Sequence, residues 1–320
     1  MFAVVSSGTD NSGINGAIRA IVRTAAAHGA RVAGIRWGFQ GLLQNQMSFL
    51  TSRDVSGKIG KAGCFLGTAK PQGILTDQTM DTAMKILKKK KITGLIVIGG
   101  LNSLKESRKF IERGIKVIGI PSTIQDDING TDISLGVDSA VNNVMRCVDC
   151  IRGSSSSRER TFLVQVEGRS CGMLAIRSAL VTGADFCMIT ERPCADMSKL
   201  AKRMAEFSLK GKNQCITIVS SGWQPGIDKL ADYLSEHEKD TDLIVRKTVL
   251  GYVQRGGAPT GYDRILGTQM GHLAVMELLQ GQTSKMIATI NNKVVSVPLD
   301  EIDKPRVIDP SFLATFKLTR

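Results

Sequence analysis

Long apolar runs are missing from this chain. No stretch approaches the roughly 20 residues that would span a bilayer, so a helical membrane protein is not expected. Nor does the amino end show a secretory pattern, because "MFAVVSSG" runs straight into a glycine turn. A cytoplasmic location is the expectation. Histidine is scarce: His28, His237 and His272 stand far apart and share no ligand spacing, and no metal site is expected. Rings are few as well, with three tyrosines and two tryptophans, which leaves little for stacking along a nucleic acid. Seven cysteines, an odd number spread widely, argue against a disulfide framework. "CVDC" (Cys147 to Cys150) lies in a helical pattern with no second pair, which favours core packing over metal or redox use. Low-complexity sequence is absent too. "RGSSSSRER" (Arg152 to Arg160) comes nearest, and reads either as a linker or as an anion-binding loop between arginines.

What is present is ordinary in bulk and unusual in charge. The 320 residues allow two lobes, each with a real core. A hydrophobic share of 42% and a charged share of 22% suit a globular protein, whereas the net charge is +13. The basic residues are scattered, and the dense run "KILKKKK" reads as a helix end whose lysines complement the helix dipole. Small anionic ligands such as phosphates explain the excess at least as well as nucleic acid, which is not expected as a partner.

Short apolar runs alternate with amphipathic stretches. "FAVVS", "RVAGIRW", "GLIVIGG", "KVIGIP", "TFLVQVEG", "FCMIT" and "CITIVSSG" are the expected strands. Val137, Val141, Val144, Val148 and Ile151 trace one helix face, and Leu266, Met270, Leu273 and Met276 trace another. The pattern predicts an α/β protein with mostly parallel sheets covered on both faces, and ligands at the carboxyl ends of the strands.

Three strand-to-helix turns fall at such ends: Gly8 to Gly13, Gly99 to Ser103, and "IPSTIQDDING". Glycine lets a backbone approach a ligand closely, and a helix start favours a phosphate. Arg19 and Arg23 share one helix face, and Arg169 and Arg255 sit at glycine turns after strands. Guanidinium groups held at such turns suit phosphate, which accepts two parallel hydrogen bonds.

Three long motifs extend this reading. "SGTDNSGINGAIR", "GTDISLGVDSAVN" (Gly130 to Asn142) and "LGYVQRGGAPTGYDR" resemble, in order and spacing, motifs of the ATP-dependent 6-phosphofructokinase family of bacterial type. The resemblance covers nearly the whole chain. It implies the phosphofructokinase fold, two Rossmann-like three-layer α/β/α lobes with the active site between them, usually assembled as a tetramer. The nucleotide-binding lobe is expected over 1–137 plus 251–303, and the sugar-phosphate lobe over 138–250 plus 304–320.

The resemblance also exposes departures. The family's chemistry moves the γ-phosphoryl group of ATP to fructose 6-phosphate in glycolysis, with an aspartate taking the hydroxyl proton. "PSTIQDD" puts Gln125 there, and a neutral amide cannot act as the base. Where the family's "GGDG" holds the magnesium nucleotide, "GGLN" puts Leu101, which offers no oxygen to a hard cation. Lys70 replaces an arginine that bridges the phosphates, keeping charge but losing the fork. Thr9 replaces a glycine. The nucleotide site implied is Gly8, Thr9, Lys70, Gly99, Gly100, Asn102 and Ser103, with ATP and magnesium binding weakened or lost. Pyrophosphate-dependent relatives keep the aspartates and carry a lysine where Ser122 sits.

The sugar-phosphate residues implied are Thr123, Asp127, Arg160, Arg169, Arg246 and Arg255. Arg160 and Arg246 normally reach in from a neighbouring subunit. Glu167, Ser221 and Tyr252 occupy positions of the same site but differ from the family. An effector pocket for nucleoside diphosphate or phosphoenolpyruvate would comprise Arg19, Arg23, Arg152, Lys210 and Lys212, all basic here. Asp126, next to Gln125, points the other way in extended chain and is a poor substitute base. No intact catalytic set remains, with Asp127 and Arg169 as residual members. The expectation is a regulatory or pseudo-subunit that binds fructose 6-phosphate and an effector and assembles with itself or with a catalytic phosphofructokinase. A working kinase with a displaced base is the alternative.

Overall fold

In the computed structural model, β1 (Phe2–Ser7) is buried along its whole length, with apolar Phe2 to Val5 leading into the buried Ser6 and Ser7. The structure describes residues 1–70, 73, 75–154, 160–208, 214–241 and 243–320, with only the backbone at 160 and 208. Two compact units are present. The first comprises residues 1–124, 128–139 and 255–306, and the second residues 125–127, 140–254 and 307–320. The boundaries expected from sequence differ from these by a few residues, and residues 125–127 group with the second unit.

In the first unit β1 leads to α1 (Ile14–Ala27), β2 (Val32–Ile35), α2 (Gly38–Leu43) and β3 (Met47–Leu50). There follow α3 (Asp77–Lys89), β4 (Gly94–Gly99), α4 (Leu101–Glu112) and β5 (Lys116–Pro121). The next helix, α5 (Val137–Gly153), begins in this unit and continues in the second.

The second unit carries β6 (Arg160–Val166), α6 (Met173–Thr182), β7 (Phe186–Met188), α7 (Met197–Ser208) and β8 (Gln214–Ser220). It continues through α8 (Ile227–Glu236), α9 (Glu238–Thr241) and β9 (Ile244–Val249), and later adds α11 (Pro310–Thr319). Between β9 and α11 the chain supplies the first unit with α10 (Gly261–Leu279), β10 (Lys285–Ile290) and β11 (Lys293–Pro298).

The first sheet runs β11-β10-β5-β4-β1-β2-β3, parallel except for its two antiparallel edge strands, β3 and β11. Alternate side chains serve opposite faces. Phe2, Val4, Ile96, Ile98, Ile118 and Ile120 pack with α1 and α10, whereas Ala3, Val5, Leu95, Val97 and Val117 pack with α2, α3 and α4. Contact between α1 and α10 is close because Gly267 and Gly271 lie on it. A Cβ at Gly271 would sit 2.4 Å from the Ala17 carbonyl oxygen, and one at Gly267 would sit 2.8 Å from that of Gly13.

The second sheet, β7-β8-β6-β9, is wholly parallel. Leu163, Phe186, Cys215 and Val219 pack with Met204, Leu230 and Leu234 on one of its faces. The "KILKKKK" run closes α3, which opens on a Thr76–Thr79 capping box. Two expectations change. Cys150 is exposed and Cys147 half-buried, so the pair is not core packing. Four strands, β3, β9, β10 and β11, were not expected from the sequence. Among the described residues no helix is long and apolar enough to cross a membrane.

Candidate functional site

In the first unit β5, β4, β1 and β2 are consecutive and parallel, so the turns after them open along one edge. Two of the glycine turns expected to bind phosphate lie there, together with the third as far as Ile124. Gly8 takes φ +107° and donates its N–H to the Ala69 carbonyl at 2.9 Å. Gly99 admits no side chain, since a Cβ would lie 2.4 Å from the Ser7 carbonyl oxygen. Ser103 Oγ donates to that same oxygen at 2.9 Å, tying the β4 turn to the β1 turn. Helix α4 starts after Gly100 and α1 after Gly13, neither with a side-chain cap, which leaves helix-start N–H groups for an anion. Ser122 Oγ donates to Asn11 Oδ1 at 3.0 Å and links the third turn to the first.

Leu101, the first residue of α4, packs against the apolar cluster of Val97, Leu104 and Phe110. Thr9, Lys70 and Asn102 are exposed along the edge, and Thr123 and Arg255 are half-buried in this unit. At the end of β2, Trp37 adopts the left-handed conformation, φ 57°, and remains 49% exposed. For a bulky side chain that backbone costs on the order of 1–3 kcal/mol.

The second unit has its own carboxyl edge. Glu167 to Ser170 follow β6 and Ser221 and Gly222 follow β8; Ser221 N donates to the O of Val166, the last residue of β6, at 2.9 Å. Close passage explains the glycines: a Cβ on Gly222 would fall 2.1 Å from the Arg169 carbonyl oxygen. Residues 125–127 lie on this edge. Gln125 Oε1 accepts from the Arg169 N–H at 3.0 Å, and Asp127 Oδ2 accepts from Ser170 Oγ at 3.2 Å. Asp126 is fully buried with φ 52°, and its Oδ2 lies 3.3 Å from Arg177 Nη2. The same guanidinium lies 5.2 Å from the Phe312 ring of α11. The carboxylate next to Gln125 is therefore held inside the unit.

Asp127, Glu167, Arg169 and Ser221 thus share one edge with Gln125. Arg246 does not join them. It pairs in register with Phe162, near the amino end of β6, and is exposed on the edge strand β9. The backbone of Arg160 lies at that amino end too, and its side chain is outside the described residues. Tyr252 is 84% exposed in the turn after β9.

The effector residues are distributed differently. Arg19 and Arg23 lie on α1, half-buried and exposed respectively. Arg152, at the end of α5, donates from Nη2 to the Gly183 carbonyl at 3.0 Å. Lys210 and Lys212 lie outside the described residues.

A family profile described as "Phosphofructokinase" matches residues 1–278. The chain belongs to the phosphofructokinase family. An ATP-dependent 6-phosphofructokinase of Persephonella marina is 41% identical over 313 residues, covering 96% of each chain. The enzyme of that name from Brevibacillus brevis is 36% identical over 319 residues, covering 99% of this chain and 98% of its own. The crystal structure of Pichia pastoris phosphofructokinase in the T-state superposes with TM-score 0.87 and 29% identity over 94% of this chain. This chain spans 37% of the length of that one. A pyrophosphate-dependent phosphofructokinase from Marinobacter aquaeolei, 19% identical with TM-score 0.83 over 97% of this chain, shares the fold.

In this chain the residues at the start of α4 do not fit a magnesium nucleotide held by a carboxylate, because Leu101 is committed to the apolar cluster. Among the described residues no group of three or more His, Cys, Asp or Glu side chains is placed to hold a metal ion.

Sequence reasoning gave Asp263 too small a part. It is fully buried and accepts from Gly136 N at 2.8 Å, Ser139 N at 2.8 Å and Ser139 Oγ at 2.6 Å. Burial pushes its carboxyl up from the ordinary value, against the pull of those donors. The Asp-Arg pair in the third motif was its only signal. Arg177 carried none, because an arginine in an apolar helix stretch announces no partner.

Proposed function

We propose that this chain is a phosphofructokinase-family subunit with impaired phosphoryl transfer. It binds fructose 6-phosphate at the carboxyl edge of the second unit and an anionic effector elsewhere, and it works by assembling with itself or with a catalytic relative. The observation that carries this reading is the state of the Gln125 loop. An amide stands at the base position, and the adjacent carboxylate, Asp126, is buried against Arg177. A base contributes about 10²–10⁴-fold to proton-coupled steps, so its loss alone leaves a very slow kinase.

The acceptor side supports retained binding. Asp127 and Arg169 remain on one edge, and the Arg169 N–H to Gln125 and Ser170 to Asp127 hydrogen bonds brace their two loops against each other. Arg160 and Arg246 lie at the other end of the same sheet, so they cannot serve that edge within one subunit; service to a neighbour's sugar phosphate fits their placement.

The names of the relatives favour a second reading, a working ATP-dependent 6-phosphofructokinase with a displaced base. Two measurements separate the readings. Calorimetric titration of the lone chain with fructose 6-phosphate should give saturable binding without nucleotide. Mixing with a catalytic relative from the same genome should give a co-purifying complex whose response to fructose 6-phosphate differs from that of the relative alone. If neither binding nor a complex is found, the subunit reading fails.

A further inference from the structure

We infer that Arg177 is a positioning residue for the Gln125–Asp127 loop, and that through it the docking of helix α11 is felt at the carboxyl edge of the second unit. All the groups involved belong to that unit.

Arg177 is the one charged residue of α6, "MLAIRSALVT". A guanidinium on such a helix is costly to bury unless other groups match its charge. Two of its partners come from different elements. Asp126 Oδ2 lies 3.3 Å from Nη2, and the Phe312 ring of α11 has its centroid 5.2 Å from the guanidinium carbon, within cation–π reach. One cation therefore joins the loop after β5 to the last helix.

The loop needs such a hold. Asp126 is fully buried at φ 52°, a backbone that a non-glycine residue keeps only where its surroundings fix it. Its carbonyl accepts from the Cys171 thiol at 3.8 Å. On either side of it, Gln125 Oε1 accepts from Arg169 N–H at 3.0 Å and Asp127 Oδ2 accepts from Ser170 Oγ at 3.2 Å. Asp126 is thus the inward anchor of a segment whose two flanking side chains meet the β6 turn. Any shift of that anchor displaces Asp127 and the Arg169 backbone together.

Helix α11 is lightly held. Phe316 is its one buried residue, Phe312 is half-buried and Leu318 is 85% exposed. Elements with few buried contacts open before the rest of a fold. Release of α11 takes the ring from Arg177 and admits water to the guanidinium, which weakens its grip on Asp126. The consequence for ligand binding rests on reading that edge as the sugar-phosphate site, whereas the link from α11 to the loop does not.

Hydrogen exchange on peptides of the full chain carrying Gln125 to Asp127 and Gly168 to Ser170 tests the link. Calorimetric titration with fructose 6-phosphate measures its consequence. Asp126→Asn combined with Arg177→Met removes both charges, so no buried carboxylate is left unpaired and the fold survives, yet the tether is gone. The double variant should exchange the Arg169 N–H about tenfold faster and bind fructose 6-phosphate about tenfold more weakly, with β8 peptides unchanged. Phe312→Leu, which keeps an apolar side chain on α11, should move both readings in the same direction by about threefold. Arg177→Lys should restore part of each. A pair with a merely structural role would change neither reading once stability is recovered. Wild-type exchange in the double variant would overturn the positioning role, and wild-type exchange in Phe312→Leu would overturn the coupling to α11. Failure of the wild type to bind fructose 6-phosphate would refute the sugar-phosphate reading instead, with the exchange rates still deciding the link.

Discussion

Asp126 and Arg177 decide what the loop after β5 can do. A buried carboxylate 3.3 Å from a guanidinium is stable only while its partner is there. Arg177→Met should lower stability by about 3 kcal/mol in denaturant unfolding, and adding Asp126→Asn should recover most of that loss. Additive losses would show that the pair is not coupled. Gln125 sits in a different position, since its side chain accepts one backbone N–H that an aspartate could also satisfy. Gln125→Asp combined with Leu101→Asp should therefore fold, losing about 1–2 kcal/mol of Leu101 packing and regaining part through a carboxylate at a helix start. In a coupled assay the pair should exceed the wild type by about 10²-fold or more. No gain would assign the loss to Lys70 and Thr9 as well.

At the scale of elements, much of the first sheet was legible because its central strands are mostly apolar runs, and β1 and β4 lead into glycine turns. The missed strands have physical reasons. β9 carries Arg246 and Lys247 on a sheet edge, β3 is four residues long with both sides partly exposed, and β10 and β11 form an antiparallel addition after the last parallel unit. The Gln125 and Leu101 departures were legible only against the family's motifs. The Asp126–Arg177 pair was not, because a contact across 51 positions leaves no local pattern.

Asp263 joins the starts of α5 and α10, and its raised carboxyl makes a pH prediction. A folded value above the unfolded one gives stability that is full below the ordinary value of 3.8 and is lost as pH rises through the raised folded value. Wild-type stability measured against Asp263→Asn should therefore fall from pH below about 3.8 upward through the folded value, then level off. A rise over that window would contradict the burial argument. Thiols offer a parallel check on the helices and turns. Cys150 is exposed on α5, while burial pushes Cys64 up to about 11 and Cys171 up to about 12. At neutral pH a thiol reagent should modify Cys150 well before Cys64 or Cys171 in the folded chain.

For the whole molecule, membership of the phosphofructokinase family is compatible with the impaired phosphoryl transfer we propose. Packing and glycine turns are many small commitments, whereas the transfer step depends on one or two oxygens. A chain can lose those oxygens and keep everything that lets it bind and assemble. The most direct test is steady-state turnover of the purified chain alone, with ATP, magnesium and fructose 6-phosphate. The account predicts a rate at least about 10²-fold below an ordinary family kinase, alongside saturable fructose 6-phosphate binding. An ordinary kinase rate from the lone wild-type chain, abolished by Asp127→Asn, would contradict it.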